Sequence, residues 1–268
     1  MKILIIHNSY GKFSGEEAVV ASQKKLLTDN GHEVISFEMS SAEIPKMRFG
    51  KLRALFSGIY SFSSRRQIKK LLAEHRPDIV HIHNLFPLIS PSILPECKKA
   101  GVPVVMTVHN YRLVCPNGLF MAGGEVCEKC CGGREYQCLL NNCEGSYFKS
   151  LGYALRNYVA RKFKLYKNNV AMYACLTEFQ KNKLIEEGFA PDKIVVIPNM
   201  VDGSGINLVE QTGEYIGFVG RVSPEKGVDT LIATAKKLPN MKFRAAGAYD
   251  KMQSLVADCS ENFDFMAT

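Results

Sequence analysis

Residues 215–238 read YIGFVGRVSPEKGVDTLIATAKKL, and this stretch decides the fold of the chain. The run Tyr215–Val219 is typical of a strand, and the residues from Gly227 to Lys237 follow a helical pattern. A strand that passes directly into a helix predicts a βα unit. The turn between the two exposes main-chain N–H groups at the positive end of the helix dipole. The stretch therefore predicts an α/β fold with an anion-binding turn.

The turn also carries two cations. The strand ends at Gly220, Arg221 follows, and Lys226 precedes the helix start at Gly227. A guanidinium binds two phosphate oxygens at once, and an ammonium acts as a point charge. This combination predicts a binding site for a diphosphate. The alternative is an ordinary βα turn with cations on its surface.

Short apolar runs alternate with helical patterns along the rest of the chain. Strands are predicted at residues 2–6, 33–37, 78–82, 104–108, 172–176, 194–197, 242–246 and 263–266, with a short helix between the last two. Helices are also predicted at residues 16–30, 65–75 and 178–187. Strands separated by helices form βαβ units, which predict a parallel sheet with its ligands at the carboxyl ends of the strands.

Turn-rich residues 202–205 divide the pattern into two parts. We predict a complete amino-terminal Rossmann-like domain over residues 1–205, and the first part of a second Rossmann-like domain over residues 206–268. A doubly wound domain usually needs about 100 residues or more. The second domain is therefore expected to be cut short.

The loop from Asn8 to Glu16 follows the first predicted strand. It contains glycines, among them Gly15, which let the main chain approach a phosphate or a sugar. The glycine spacing does not match the GxGxxG fingerprint of dinucleotide-binding enzymes, which weakens a dehydrogenase interpretation. The alternative is a loop that only connects two elements.

Polar side chains follow the third and fourth predicted strands. His109 comes just after the fourth strand, and Asn84 comes at the exit of the third. Since ligands bind at the carboxyl ends of parallel strands, both residues are candidates to line a ligand crevice. His81 and His83 alternate along the third strand and are expected on one face of it, as packing or crevice-lining groups.

Six cysteines lie in a glycine-rich insert over residues 115–143. Cys127 and Cys130 form a CxxC pair, and Cys115 and Cys143 flank this pair at similar distances along the chain. Four thiolates in such an arrangement can bind zinc tetrahedrally. Structural zinc at these four cysteines and reduced free cysteines are the two alternatives. Stable disulfides are not expected in a cytoplasmic chain.

The chain has 268 residues and a formal net charge of +8. Its basic residues concentrate in two stretches that contain aromatic residues and no acids, from Lys46 to Lys70 and from Tyr147 to Val170. Such stretches suit anionic partners, including acidic lipid headgroups, and the alternative is a solvated basic face. The apolar amino-terminal run is too short for a signal peptide. We expect a cytoplasmic protein, peripheral on the inner face of the membrane.

The string from Gly220 to Gly227, with residues 229–232 and Ala235, closely resembles family 4 glycosyltransferases of the GT-B fold. Other segments resemble the same family in the same order, at residues 15–17, 31–34, 77–84, 107–110, 177–180 and 197–202. The resemblance covers nearly the whole chain. It implies transfer of a sugar from a UDP- or GDP-linked donor, with retention of anomeric configuration, to a glycan or lipid-linked acceptor in the synthesis of surface polysaccharide or glycolipid.

The resemblance also implies roles for individual residues. Arg221 and Lys226 would hold the donor's diphosphate and stabilise the leaving group, with Gly220 and Gly227 in the same turn. His109 would contact the transferred sugar. The loop that contains Gly15 would contact the donor phosphate and lie near the acceptor, which puts Asn8 and Glu16 on the acceptor side with Asn84. No metal or other cofactor is implied for catalysis.

Two other classes of function compete with this one. The family's pair of glutamates that binds the donor's ribose and sugar has no match before Thr268. We therefore expect impaired activity, and the main alternative is a non-catalytic remnant that binds a membrane or a partner protein. A nucleotide-sugar epimerase shares the fold, but the Arg–Lys string favours the transferase. Nucleic acid is not expected as a partner because no reader motif is present.

Overall fold

The computed structural model describes residues 1–11, 14–201, 203, 213–247 and 259–266. The chain forms two compact units, Met1–Val201 and Asp202–Thr268. The predicted domain boundary between residues 205 and 206 lies outside the described residues. So does the short helix predicted between the last two strands.

A parallel sheet forms the centre of the first unit. The strands of this unit are β1 (Lys2–Ser9), β2 (Glu33–Ser40), β3 (Ile79–Asn84), β4 (Val104–Val108), β5 (Met121–Ala122), β6 (Glu125–Val126), β7 (Met172–Cys175) and β8 (Ile194–Val196). Six of them form one sheet in the order β2-β1-β3-β4-β7-β8, and every neighbouring pair in it is parallel. The other two, β5 and β6, form an antiparallel hairpin. The predicted parallel α/β architecture is confirmed.

The first three strands run further than their apolar patterns indicate. β1 continues through Asn8 and Ser9, which pair with Met39 and Ser40 of β2. β3 continues to Asn84, which pairs with His7 of β1. Polar residues extend these strands because their main-chain groups still pair with a neighbour. The extension places polar side chains at the carboxyl edge of the sheet.

The helices of the first unit are α1 (Gly15–Asp29), α2 (Gly50–Ile59), α3 (Phe62–His75), α4 (Leu94–Lys99), α5 (Tyr136–Leu140), α6 (Tyr147–Lys162), α7 (Leu165–Asn169) and α8 (Glu178–Glu186). The helices predicted near α1, α3 and α8 are confirmed. Their ends carry recognisable signals: the Ser14 hydroxyl accepts a hydrogen bond from the main chain of α1, and Thr177 does the same for α8. Past α1, Gly31 takes the left-handed conformation expected after a helix end.

The core of the first unit lies on both faces of the central strands. Ile5, Ile6 and Ile82 are fully buried. Burial of each such side chain contributes about 1.5–3 kcal/mol. Because both faces are covered, the central strands appear in the sequence as continuous apolar runs rather than as an alternation of apolar and polar residues.

The second unit repeats the same design in its described residues. Its strands are β9 (Tyr215–Val219), β10 (Lys242–Ala246) and β11 (Phe263–Met266), in the parallel order β11-β10-β9. Helix α9 (Val228–Lys237) packs on them through Val228, Ile232 and Ala235. The strand-turn-helix unit predicted for residues 215–238 is confirmed.

Candidate functional site

Four histidines cluster towards the carboxyl edge of the six-stranded sheet, on β1, on β3 and just after β4. The rings of His81 and His83 stack with their centres 4.5 Å apart, so the two side chains share one face as predicted. His83 Nδ1 and His109 Nε2 lie 2.9 Å apart and share a hydrogen bond. His7, which the sequence analysis did not single out, meets His83 edge-on at 6.3 Å. The structure therefore places His109 within a histidine cluster.

These histidines are neutral at neutral pH. Burial lowers the pKa of His7, His81 and His109 to about 4. Burial, together with the charges of its neighbours, lowers the pKa of His83 to about 2. A neutral imidazole both donates and accepts hydrogen bonds, which suits it to contact with sugar hydroxyls. His109 is half-buried at the strand exit, where such contact is open to it.

Stability of the first unit is expected to rise with pH between about 4 and 6.5. The histidines of the cluster have folded pKa values near or below 4 against about 6.5 when unfolded, so the unfolded chain binds more protons in this window. Glu16 opposes them, because its raised folded pKa makes stability fall as pH rises from about 4.5 to 7. Four histidines outweigh one carboxyl, which leaves a rise on the order of 2–4 kcal/mol per pH unit.

Urea unfolding at a series of pH values measures this dependence. His81→Gln is expected to flatten it, because one buried imidazole no longer titrates. His75→Gln, outside the cluster, serves as the matched control. A free energy of unfolding that stays constant from pH 4 to 6.5 would contradict the neutral, buried state of the cluster.

A chain of hydrogen bonds joins the loop after β1 to the segment after β4. Arg112 Nη1 donates to Tyr10 Oη at 3.0 Å, and Tyr10 Oη donates to Glu16 Oε2 at 3.0 Å. Glu16 Oε1 lies 3.8 Å from His7 Nδ1. Burial raises the pKa of Glu16 to about 7, although the hydrogen bond from Tyr10 and the charge of Arg112 lower it. Glu16, predicted on the acceptor side, thus changes protonation state near neutral pH.

Asn8 and Asn84 hold the loop after β3 in place. Asn84 donates to the main-chain oxygens of Asn8 and Phe86 and accepts from the main chain of Phe86. Asn8 accepts from the main chain of Leu88 at 2.9 Å and donates to Ser41. Both amides are buried and bound to protein atoms. The structure thus shows a packing role for them, and the acceptor contact expected of them stays a prediction.

Gly15 is the first residue of α1, directly after the capping residue Ser14. A Cβ at Gly15 would meet nothing within 4 Å, so packing does not require glycine there. Gly11, earlier in the same loop, has φ of +77°, and a Cβ would lie 2.7 Å from Ala42 N. Packing and conformation therefore require glycine at Gly11, and the predicted phosphate contact of Gly15 stays a prediction.

Three of the six cysteines of the insert pack together, and all six are free thiols. Cys130 and Cys138 are buried against Ala154, with Cys143 beside them. Cys115 donates from its thiol to Asn117 Oδ1 at 2.9 Å. Burial, with the charge of neighbouring cysteines, raises the pKa of Cys130 to about 12. In the described part of the chain, no three metal-binding side chains form a group that could hold an ion. Zinc at the four predicted cysteines has no preformed geometry there and stays a prediction.

The predicted diphosphate turn of the second unit brings its two cations to one end of α9. Gly227 takes a left-handed conformation, with φ of +67°, and precedes the helix without a side-chain cap. Gly227 has no side chain to cap the first-turn N–H groups of α9, which point towards this turn. Arg221 and Lys226 are both exposed beside this turn, and the Arg221 guanidinium lies 3.3 Å from Glu225. The arrangement provides two exposed cations and a helix N-terminus for one anion.

Gly247 adds a constraint at the same edge that the sequence analysis did not notice. It follows β10, and its φ is +149°. A Cβ there would lie 1.9 Å from the main-chain oxygen of Gly220, the residue that follows β9. The two glycines let neighbouring strand ends approach closely, and they leave main chain rather than side chains at this part of the edge. The pattern Ala-Ala-Gly at the end of a predicted strand was the available signal.

Most of the first unit matches a known protein family. Residues 13–204 match the model of Glycosyltransferase Family 4, and the matched region ends before the diphosphate turn. A protein of the cps region of Klebsiella pneumoniae, itself uncharacterized, is 27% identical over 196 residues, covering 72% of this chain and 46% of that protein. An uncharacterized glycosyltransferase of Methanocaldococcus jannaschii is 26% identical over 206 residues, covering 75% and 46%. The chain thus spans just under half the length of these relatives.

Solved structures share the fold. The structure of HepE from Anabaena in complex with UDP-glucose is 16% identical, with a TM-score of 0.53 over the whole of this chain and 69% of HepE. The lipopolysaccharide outer core galactosyltransferase WaaB, in its apo form, is 13% identical, with a TM-score of 0.54 over the whole of this chain and 68% of WaaB. The predicted GT-B fold is confirmed. With the family match over residues 13–204, the chain belongs to glycosyltransferase family 4.

Proposed function

We propose that this protein takes part in transfer of a sugar from a UDP- or GDP-linked donor to a glycan or lipid-linked acceptor, with retention of anomeric configuration. The observation that carries the proposal is the turn between β9 and α9. There, two exposed cations and an uncapped helix N-terminus meet on a chain of glycosyltransferase family 4. HepE, which shares the fold, was solved with UDP-glucose, and this supports a nucleotide sugar as the donor.

The charged and titratable candidate residues have these roles in the proposal. Arg221 and Lys226 bind the diphosphate and stabilise the negative charge that builds on it as the glycosidic bond breaks. His109, neutral and half-buried, hydrogen-bonds a hydroxyl of the transferred sugar. Glu16, with a pKa near 7, accepts in its ionised form the proton that the acceptor hydroxyl loses as the new glycosidic bond forms. The proposal assigns no catalytic role to a metal. Zinc at Cys115, Cys127, Cys130 and Cys143, where bound, would hold the insert together.

The acceptor in this proposal is a surface glycan or its lipid-linked precursor. One relative is encoded in a cps region, and WaaB is named as a lipopolysaccharide outer core galactosyltransferase. The proposed place of action is the cytoplasmic face of the inner membrane. No helix of the described residues combines the length and apolar character that a membrane crossing requires.

A donor-release assay tests the proposal. The purified protein is incubated with UDP-sugars and GDP-sugars, with and without a lipid extract as acceptor, and free UDP or GDP is measured. Acceptor-dependent release of one nucleotide supports transfer by this chain. Binding of the nucleotide without release would contradict transfer by this chain and favour the alternative, a non-catalytic remnant that binds a membrane or a partner protein. A chain that neither binds nor releases a nucleoside diphosphate would contradict the proposed donor site.

A further inference from the structure

Arg112, in the segment after β4, is fixed by contacts from two directions. Its main-chain N–H donates to Asn110 Oδ1 at 3.1 Å, and its main-chain oxygen accepts from Asn157 Nδ2 of α6 at 2.7 Å. Gly118 has φ of +80°, and a Cβ there would lie 2.7 Å from Arg112 Cγ. Glycine is therefore required beside this side chain. Both the main chain of Arg112 and the start of its side chain have a defined place.

Tyr10 lies between Arg112 and Glu16. The Arg112 guanidinium lies over the Tyr10 ring, 5.3 Å from its centre, and Nη1 donates to Tyr10 Oη at 3.0 Å. Because a guanidinium only donates hydrogen bonds, the phenol must accept from it. The phenol then directs its own proton to Glu16 Oε2, at 3.0 Å. The Tyr10 main-chain N–H donates to Glu17 Oε1 in the first turn of α1, which fixes the loop that carries the ring.

The two carboxylate oxygens of Glu16 have different surroundings. Oε2 accepts from Tyr10, whereas Oε1 is buried and has no hydrogen-bond partner among the described residues. His7 Nδ1 lies 3.8 Å from Oε1, which is too far for a hydrogen bond. A buried acceptor without a partner is unfavourable and marks a place where a ligand or a water can bind. The protein thus fixes one oxygen and leaves the other for a proton from a ligand.

Few charges act on Glu16, and they come from three directions. Burial has the largest effect and raises the pKa of Glu16 to about 7, Glu17 on α1 also raises this pKa, and Arg112 and the hydrogen bond from Tyr10 lower it. His7 on β1 is neutral above about pH 4. Burial raises the pKa of Tyr10 to about 12, so the phenol keeps its proton wherever Glu16 titrates. Tyr10 and Arg112 are therefore the groups that favour the ionised carboxylate.

We propose that Tyr10 and Arg112 are positioning residues for Glu16, and that they orient its carboxylate and favour the ionised form that accepts a proton from the acceptor hydroxyl. This inference rests on the proposed function. In that reaction the hydroxyl oxygen bonds to the anomeric carbon of the donor sugar, the bond from that carbon to the diphosphate breaks, and the hydroxyl proton passes to Glu16. Tyr10 and Arg112 act only through Glu16.

The alternative is that the two residues only join the loop after β1 to the segment after β4. Loss of such a contact would lower stability without changing the pH at which transfer begins. Loss of a positioning residue would raise the pH at which Glu16 ionises, and the pH dependence of transfer would follow it. The ionisation of Glu16 and the pH profile of transfer therefore separate the two roles.

NMR measures the ionisation of Glu16 directly. The full chain is labelled with ¹³C at the glutamate side-chain carboxyl, and the Glu16 signal is assigned by its absence in Glu16→Gln. The wild-type midpoint is expected at about pH 7. Tyr10→Phe removes a hydrogen bond to a charged oxygen and should raise the midpoint by about one pH unit. Arg112→Lys keeps the charge and should raise the midpoint by less.

Transfer is then measured over the same pH range, as acceptor-dependent release of UDP or GDP. The value of kcat/KM for the acceptor should rise as Glu16 ionises, and in Tyr10→Phe this rise should move up by about one pH unit. At pH 7 the variant should be about fivefold slower, because about a tenth of Glu16 is ionised in place of half. The rate should approach that of the wild type at higher pH, and the KM for the donor should not change.

Tyr147→Phe is the matched control. It removes the hydroxyl of an exposed tyrosine at the start of α6 and should change neither the NMR midpoint nor the pH profile. Thermal unfolding checks the fold of each variant, and Tyr10→Phe, which keeps the ring, remains informative if Arg112→Lys unfolds.

The outcomes distinguish this inference from the proposed function. An unchanged midpoint in Tyr10→Phe would overturn the inference, and so would a midpoint that moves while the pH profile of transfer stays in place. A midpoint that moves as expected in a chain that shows no transfer would support the positioning of Glu16 and would count against the proposed function.

Discussion

Replacement of both Arg221 and Lys226 by alanine is expected to abolish measurable binding of UDP or GDP to this chain. A hydrogen bond to a charged group contributes about 1.5–3 kcal/mol, so loss of two such partners weakens binding by about 3–6 kcal/mol, a hundredfold or more. The helix N-terminus of α9 remains in the variant, and it alone contributes about 1 kcal/mol or less.

The fold is expected to tolerate this double substitution. Both side chains are exposed, and the only ion pair formed by Arg221 in the described residues is with Glu225. An exposed pair of this kind contributes about 0–1 kcal/mol. In the free protein Glu225 competes with the phosphate for the guanidinium, so a bound diphosphate must displace it. Loss of binding can then be assigned to the lost cations and not to unfolding.

Isothermal titration with UDP and with GDP measures the effect. The matched control is Lys237→Ala/Lys242→Ala, which removes two exposed lysines of the same unit, at the end of α9 and the start of β10. The control keeps the same net charge as the test variant and should bind like the wild type. Arg221→Lys should fall between the two, because an ammonium cannot bind two oxygens at once. Unchanged affinity in the double variant would remove these residues from the donor site.

The fold could be predicted where the local sequence pattern matched the burial or the main-chain conformation that the fold requires. The run Ile3–Ile6 is apolar because both sheet faces are covered, and the end of α1 carries Gly31 where left-handed main chain is needed. Helix α2 could not be predicted in this way. Its apolar residues do follow a helical period, but no capping side chain precedes it and Gly58 lies inside it, so the usual signals of a helix are weak.

The candidate site could be predicted only in part, because its residues come together through the order of the strands. β1 lies between β2 and β3, which brings His7 beside His83 although 76 residues separate them in the chain. Position after a strand was enough to select His109. The hydrogen bonds from Arg112 through Tyr10 to Glu16 depend on how two loops meet, and no spacing of residues in the sequence predicts that contact.

Arg156 shows that a charged residue in a basic stretch of sequence is not always exposed to solvent. It lies in a basic stretch, yet only 4% of it is exposed. Its guanidinium is held between the rings of Phe86 at 3.9 Å and Tyr153 at 4.6 Å. Its Nη2 donates to the main-chain oxygen of Pro116 at 2.8 Å. Burial, with the charge of Arg112, lowers its pKa to about 10, so it stays charged at neutral pH. The side chain joins α6 to the loop after β3 and to the cysteine insert.

Arg156→Ala is therefore expected to destabilise the first unit by about 3 kcal/mol. The substitution opens a cavity, removes a desolvated cation–π contact and leaves the Pro116 oxygen without its partner. These losses exceed the gain from no longer burying a charge, which offsets part of them. Urea unfolding at neutral pH measures the change. Arg66→Ala, at an exposed position without an ion pair in the described residues, is the control and should stay within about 0.5 kcal/mol of the wild type.

The Arg156→Met variant separates the contribution of packing to stability from that of the guanidinium's charge and hydrogen bonds. Methionine keeps most of the volume and some contact with the Phe86 and Tyr153 rings, but it carries no charge and no donor. If packing dominates, the methionine variant should recover more than half of the stability lost in the alanine variant, because it also avoids the cost of burying a charge. If the guanidinium's contacts dominate, both variants should be equally destabilised. An alanine variant as stable as the wild type would mean that the cost of burying this charge equals everything its contacts contribute.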